Sequence, residues 1–180
     1  MNLKTWSLLG VVALGLMLSS CIEDDPAPQT PRSEVPAKMQ GQWMYGTFSM
    51  TDFWKYDGSY VGNAFELAVA FDFKKNGEIE MYFMSSSAYY NCRTQAFTYE
   101  KGTVEFHDNN SFTMHPTEGS YRGFYTCSPS QNFNRKAKPD ELKASTYYYT
   151  FETDEYGKEH LVIRFSPDDE DGSYFRPMQW

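Results

Sequence analysis

From Gly41 onward, apolar and polar residues alternate with a period of two, the pattern of strands with one buried face. Phe65, Leu67, Val69, Phe71 and Phe73 alternate with Glu66, Ala68, Ala70 and Asp72. After Lys74 to Gly77, Ile79, Met81 and Phe83 alternate with Glu78, Glu80 and Tyr82. A two-residue Asn76-Gly77 turn would set Phe73 against Glu80. A three-residue loop, Lys75-Asn76-Gly77, pairs Phe73 with Ile79, Phe71 with Met81 and Val69 with Phe83 instead. Register follows the matching of apolar faces, so the longer loop is expected, with Gly77 in the left-handed conformation. The same arithmetic sets Val104 and Phe106 against Met114 and Phe112 across Asp108-Asn109-Asn110. It also sets Tyr147, Tyr149 and Phe151 against Phe165, Ile163 and Leu161 across Glu155-Tyr156-Gly157. Gly and Asn tolerate positive φ best, and they occupy the third loop position in all three cases.

Further strands are expected at Trp43 to Met50, Thr94 to Glu100, Tyr121 to Cys127 and Ser173 to Pro177. No segment sustains a helical period; Pro139 to Leu142, inside the long gap from Ser128 to Ser145, could form one helical turn. Eight to ten antiparallel strands must hide their edges. An up-and-down β-barrel does so completely, and a two-sheet β-sandwich is the alternative. Composition agrees with an all-β chain: beyond residue 20 there are 31 aromatic residues against 11 Leu, Ile and Val. That ratio excludes a leucine-packed helical bundle. The same stretch holds 15 Lys and Arg against 24 Asp and Glu, a formal charge of −9, which argues against nucleic-acid binding. Its 160 residues suffice for one core.

The first 20 residues follow different rules. Lys4, an apolar run from Leu8 to Leu18, and Ser19-Ser20 before Cys21 make a secretory signal peptide, too short for a bilayer span. Leu18-Ser19-Ser20-Cys21 resembles a bacterial lipobox, which implies that Cys21 is acylated and becomes the first mature residue. Two or more acyl chains (palmitate among them) give stable anchorage, so the expected partner of this end is a membrane. Residues 21–40 follow as a tether, acidic at Glu23-Asp24-Asp25 and then rich in proline at 26, 28, 31 and 36. Such a segment extends and does not pack. The acidic patch resembles surface-export signals of lipoproteins from the Bacteroidota, implying an outer-membrane protein that is lipid-anchored and exposed at the cell surface; a charge-repelled leash on the periplasmic face is the alternative.

A domain over residues 41–180 is expected to follow. Its opening Gly41-Gln42-Trp43 resembles the G-x-W of the lipocalins and their calycin relatives. The resemblance implies a lipocalin-like barrel in which a late arginine covers Trp43 at the closed end. Arg176 is the first candidate for that role and Arg164 the second. As a whole the domain resembles lipocalin-like lipoproteins of the Bacteroidota.

With Cys21 carrying lipid, Cys92 and Cys127 are the remaining thiols, and beyond the inner membrane such a pair is expected to form a disulfide. His107, His115 and His160 lack zinc-ligand spacing. The run Asp168-Asp169-Glu170-Asp171 lacks the alternation of a calcium loop. No nucleophile elbow, phosphate loop or zinc-protease motif occurs, and Glu66, Glu78 and Glu80 alternate with a core-forming face. The expectation is a non-catalytic protein with no cofactor, no metal and no catalytic residue. Aromatic residues outside the matched strand faces carry the candidate chemistry, because large exposed rings call for a ligand or a partner. Trp54, Tyr56, Tyr89, Tyr90 and Tyr121, with Arg122 beside them, are the candidate ligand-binding residues. The expected partner is a small apolar molecule or a glycan. An adhesion or assembly role on another envelope protein is the alternative, and an envelope hydrolase is third.

Overall fold

The computed structural model describes residues 30–58 and 65–180. Cys21, the leader and the acidic part of the tether lie outside the described residues. The ordered elements are β1 (Gly41–Tyr45), α1 (Met50–Lys55), β2 (Phe65–Phe73), β3 (Glu78–Tyr89), β4 (Cys92–His107), β5 (Ser111–Tyr125), β6 (Phe133–Lys136), β7 (Ser145–Thr153), β8 (Glu159–Arg164) and β9 (Ser173–Met178), with a short 3-10 turn at Pro129–Gln131.

All three hairpins have the expected register. Phe73 pairs with Ile79 and Val69 with Phe83; Phe106 pairs with Phe112; Phe151 pairs with Leu161 and Tyr149 with Ile163. The third loop residues Gly77, Asn110 and Gly157 have φ of 81°, 54° and 77°. These pairings are local, and the faces they match form the first core. Phe71, Phe73, Ile79, Val104, Phe112, Met114, Leu161, Ile163 and Phe175 are buried there.

The nine strands form one antiparallel sheet in the order β4-β3-β2-β1-β9-β8-β7-β5-β6, with β4 and β5 also paired. The expected lipocalin-like up-and-down barrel is therefore corrected, and the two-sheet sandwich with it. In an up-and-down barrel each strand pairs with its chain neighbours and no edge remains. The first and last strands do pair, Trp43 opposite Pro177; the departure lies at β5 and β6. β5 has three partners: β4 along most of its length, β7 along Ser111 to Met114, and β6 along Ser120 to Gly123. β6 does not pair with β7 and ends the sheet as a short edge strand.

The segments Thr94 to Glu100 and Tyr121 to Cys127, expected as separate strands, belong to the long β4 and β5. The register of that pair shifts where Lys101 faces Glu118 but Gly102 faces Pro116. Thr117 is the extra residue, so Thr117 to Arg122 belongs to a bulged strand. Gly102 is required there, since a Cβ would collide with the carbonyl oxygen of His115. The bulge reverses the parity of β5. Phe112, Met114 and Tyr121 face one side of the sheet, and Arg122 and Phe124 the other.

The reverse face of β1 to β5 is not simply a wetted exterior. Met44, Ala68, Ala70, Tyr82, Met84 and Phe97 are buried on it, together with Phe53 of α1. The alanines on β2, read from the alternation as part of an outward face, are small enough for α1 to approach the sheet closely. Ser49 caps the helix by accepting from the Asp52 N–H. Asp72 is buried on this face as well. Its carboxylate accepts from Lys74 Nζ and from Gln42 Nε2 (3.1 Å), so the charge is paired.

Residues 30–40, expected as part of the extended tether, pack against the first core. Val35 and Met39 are fully buried. Ser33 N–H donates to the Val104 carbonyl (2.9 Å) and Val35 N–H to the Lys75 carbonyl (3.2 Å). The Trp43 indole N–H donates to the Met39 carbonyl at 3.0 Å, and Phe151 packs edge-on against the same ring. Neither candidate arginine covers Trp43. Arg176 lies exposed opposite Met44 and donates to Thr47 Oγ1, while Arg164 donates to Thr150 and Glu152. The covering role that the lipocalin resemblance assigned to an arginine thus falls to the backbone and side chains of residues 35–39.

Candidate inward cavity

β2, β3, β4 and β5 continue, still paired, past the first core to the end remote from Val35 and Met39. A cavity of about 400 Å3 opens there. Val69, Phe71, Met81 and Phe83 form its floor, with Leu67 and Phe165 toward solvent. Within this lining, which also includes Tyr45, Thr98, Tyr147 and Ser173, the side chains of Glu100 of β4 and Tyr121 of β5 meet. The Tyr121 hydroxyl donates to Glu100 Oε1 at 3.0 Å. Opposite Glu100 on β5 stands Gly119, where a Cβ would crowd the Tyr99 carbonyl oxygen and the Glu100 side chain itself. Few polar groups in a mostly apolar concavity are the usual make-up of a small-molecule site.

Burial dominates the electrostatics. It raises the Glu100 carboxyl above its ordinary range, and the bond from Tyr121 only partly opposes this. Burial, followed by the bond to Glu100, pushes the Tyr121 phenol up to about 12. Burial similarly holds Tyr147 at about 12, with its hydroxyl toward Met81 Sδ at 3.8 Å. Both phenols are therefore donors at neutral pH.

The six candidate ligand-binding residues separate into three places. Tyr121 lines the inward cavity. Trp54, Tyr56 and Arg122 lie together on the reverse face, and Tyr89 and Tyr90 form the β3–β4 hairpin tip. The segment Phe53 to Gly58 begins in α1. Arg122 is only 7% exposed. It donates to the carbonyls of Phe53 and Trp54 (the latter at 3.4 Å) and stacks over the Phe53 and Phe97 rings at 5.0 and 4.9 Å. Those carbonyls end α1, so the guanidinium caps the helix and meets its negative end. Tyr56 packs against Phe97 and Phe124 and donates to Gln95 Oε1. Both side chains are thus held by contacts within the protein.

A larger hollow, about 610 Å3, lies between Thr47 to Phe53 and the reverse face at Met84, Gln95 and Phe97. Tyr56 and Glu66 also line it, and the chain between them, residues 59–64, falls outside the described residues. The inward cavity is the better-defined site, because matched strand faces build its lining.

Tyr89 and Tyr90 are 77% and 88% exposed, with ring centroids 4.6 Å apart. Beside them Cys92 and Cys127 form the expected disulfide, with a Cα separation of 5.3 Å. The bond staples the open end of β4 to that of β5, where the Thr126 N–H also donates to the Arg93 carbonyl.

Among the described residues no group of three His, Cys, Asp or Glu side chains is placed to hold a metal. His107 contacts Thr113, His115 lies near Glu105, and His160 bonds Asp154 at 3.0 Å. Asp169 accepts from the Phe165 and Ser166 N–H groups, so its carboxylate organises its own loop. Glu100, which the alternation placed on no recognised motif, is the site residue missed from sequence. Its only local signal is a carboxylate on the same parity as Val104 and Phe106.

Comparison of the sequence with models of protein families finds no match, and comparison with curated proteins finds no similar chain. With the sheet order and the covering of Trp43 described above, this leaves Gly41-Gln42-Trp43 as an isolated tripeptide. The likeness to lipocalins and to their Bacteroidota lipoprotein relatives is withdrawn.

Proposed function

We propose that this protein is a lipid-anchored binding protein of the cell envelope that holds a small, mostly apolar molecule in its inward cavity. The anchor rests on Lys4, the apolar run to Leu18 and Cys21 within Leu18-Ser19-Ser20-Cys21. An acylated Cys21 would tie the protein to the outer membrane, and the acidic residues after it support the outward-facing leaflet. The observation that carries the binding role is the apolar cavity of about 400 Å3 over Val69, Phe71, Met81 and Phe83. It is large enough for a two-ring aromatic molecule or a comparable alkyl group. The role is non-catalytic: the cavity offers one carboxyl and hydroxyl donors, arranged to hold a molecule.

The test is fluorescence titration with N-phenyl-1-naphthylamine, a neutral apolar probe. It uses residues 21–180 with Cys21→Ser, so that no acyl chain competes. Saturable enhancement at one site is expected, abolished by Val69→Trp, which fills the cavity floor. Absence of saturable binding would dismiss the reading.

One observation favours the adhesion alternative. On the reverse face Trp54 and Trp180 are 50% and 40% exposed, and both pack edge-on against Tyr82. Such rings suit a glycan or an envelope-protein surface. Binding lost on Trp54→Ala but retained with Val69→Trp would move the function to that face.

A further inference from the structure

We infer that the ligand of the inward cavity is an apolar molecule bearing a protonated amine, with Glu100 as its counter-ion. The inference rests on the cavity reading above and adds the chemical class that the cavity selects. Glu100 Oε1 takes the Tyr121 hydroxyl, and this is the one hydrogen bond its side chain makes among the described residues. No Lys, Arg or His forms an ion pair with it among the described residues. Across Tyr121 lies Arg135, stacked on that ring at 5.2 Å. Its guanidinium is committed to Glu141 through two bonds of 2.7 and 2.8 Å. Glu100 therefore presents an oxygen without a cation at the edge of an apolar hollow.

Two features aim that oxygen at a ligand. Met81, the partner of Glu100 on β3, lines the cavity floor, so the carboxyl lies directly beside the apolar lining. Tyr121 holds the first oxygen and leaves the second for an incoming donor. A half-buried carboxyl lacking a cation is costly when ionised, and burial does raise its protonation range. A ligand ammonium removes that cost by forming the missing pair, while its apolar body covers Val69, Phe71 and Phe83. A carboxylate-bearing ligand of the same shape meets like charge. Tyr121 and Tyr147 line the same cavity, and aromatic rings attract a cation.

The experiment compares three ligands of one skeleton: 1-naphthylmethylamine, 1-naphthalenemethanol and 1-naphthoate. Each is titrated by calorimetry into residues 21–180 with Cys21→Ser at pH 7. The amine is expected to bind at least about 10-fold more tightly than the alcohol, the gain of one charge-assisted hydrogen bond. The naphthoate should bind most weakly. Glu100→Gln should bring the amine to the level of the alcohol while the alcohol changes by less than about 3-fold. Glu100→Asp, which keeps the charge and withdraws it by one methylene, guards against a variant that misfolds; it should keep part of the preference. If the alcohol binds and the amine binds no better, the counter-ion role is overturned and the apolar cavity stands. A preference that survives Glu100→Gln also overturns it. If N-phenyl-1-naphthylamine and all three ligands fail to bind, the cavity reading falls first and takes the inference with it.

Discussion

Arg122 offers the sharpest test of the division between ligand-binding and structural residues. Its guanidinium donates to the Phe53 and Trp54 carbonyls, which the last turn of α1 leaves without intrahelical partners. Arg122→Ala removes a charged donor from the first carbonyl, worth about 1.5–3 kcal/mol. The second bond, at 3.4 Å, is long and adds little. Stacking on Phe53 and Phe97 contributes about 1 kcal/mol and the helix end about 0.5 kcal/mol. Against these stands the burial of the guanidinium, which lowers its pKa and marks a desolvation cost. We expect a net loss of about 3 kcal/mol. With a urea slope of about 2 kcal/mol/M, the midpoint of unfolding should fall by about 1.5 M. Arg122→Lys keeps the charge but not the fork, and should lose about half as much. Urea titration followed by tryptophan fluorescence and far-ultraviolet circular dichroism measures both. A solvent-facing binding residue would change stability by no more than about 0.5 kcal/mol. A midpoint shift below about 0.25 M for Arg122→Ala would therefore refute the capping role.

Met39→Ala should cost about 3 kcal/mol by the same titration, because Met39 is fully buried against the first core; a residue of an extended tether would show almost no change. Reduction of Cys92–Cys127 should lower stability by about 3–4 kcal/mol from loop entropy, read as the difference between titrations with and without reductant. An unchanged midpoint would show that the hairpin end is held without it. Glu100→Gln should raise the melting temperature at neutral pH. Burial lifts the folded-state pKa of Glu100, so its penalty develops as pH rises through the unfolded value of about 4.3 and is complete above the folded value. The gap between variant and wild type should close as pH falls, and a gap constant between pH 4 and 8 would contradict the burial argument.

The three hairpins were legible because each depends on neighbours in the chain. Matching the faces of Val69, Phe71 and Phe73 to those of Ile79, Met81 and Phe83 leaves one loop length, and Gly77 supplies the positive φ that loop needs. The disulfide was legible for a different reason: two thiols in an exported segment have few alternatives. The reverse-face core was not legible. Ala68, Ala70 and Tyr82 look like the outward half of an alternation until α1 lies across them, and α1 is too short to announce itself by period.

Local alternation and turn chemistry thus determined, from sequence alone, which residues pair in each hairpin and which face of each strand is apolar. Only the tertiary structure decided what those strands do beyond their neighbours. The bulge at Thr117 turns Tyr121 inward and Arg122 outward, although the two are adjacent in the chain and looked equivalent as candidates. The placement of Val35 and Met39 against one end, and of Glu100 beside Gly119 at the other, joins residues far apart in sequence. A period of two reports which side a residue takes relative to its neighbours. Whether that side meets water, a helix or a cavity is settled by contacts that no local pattern encodes.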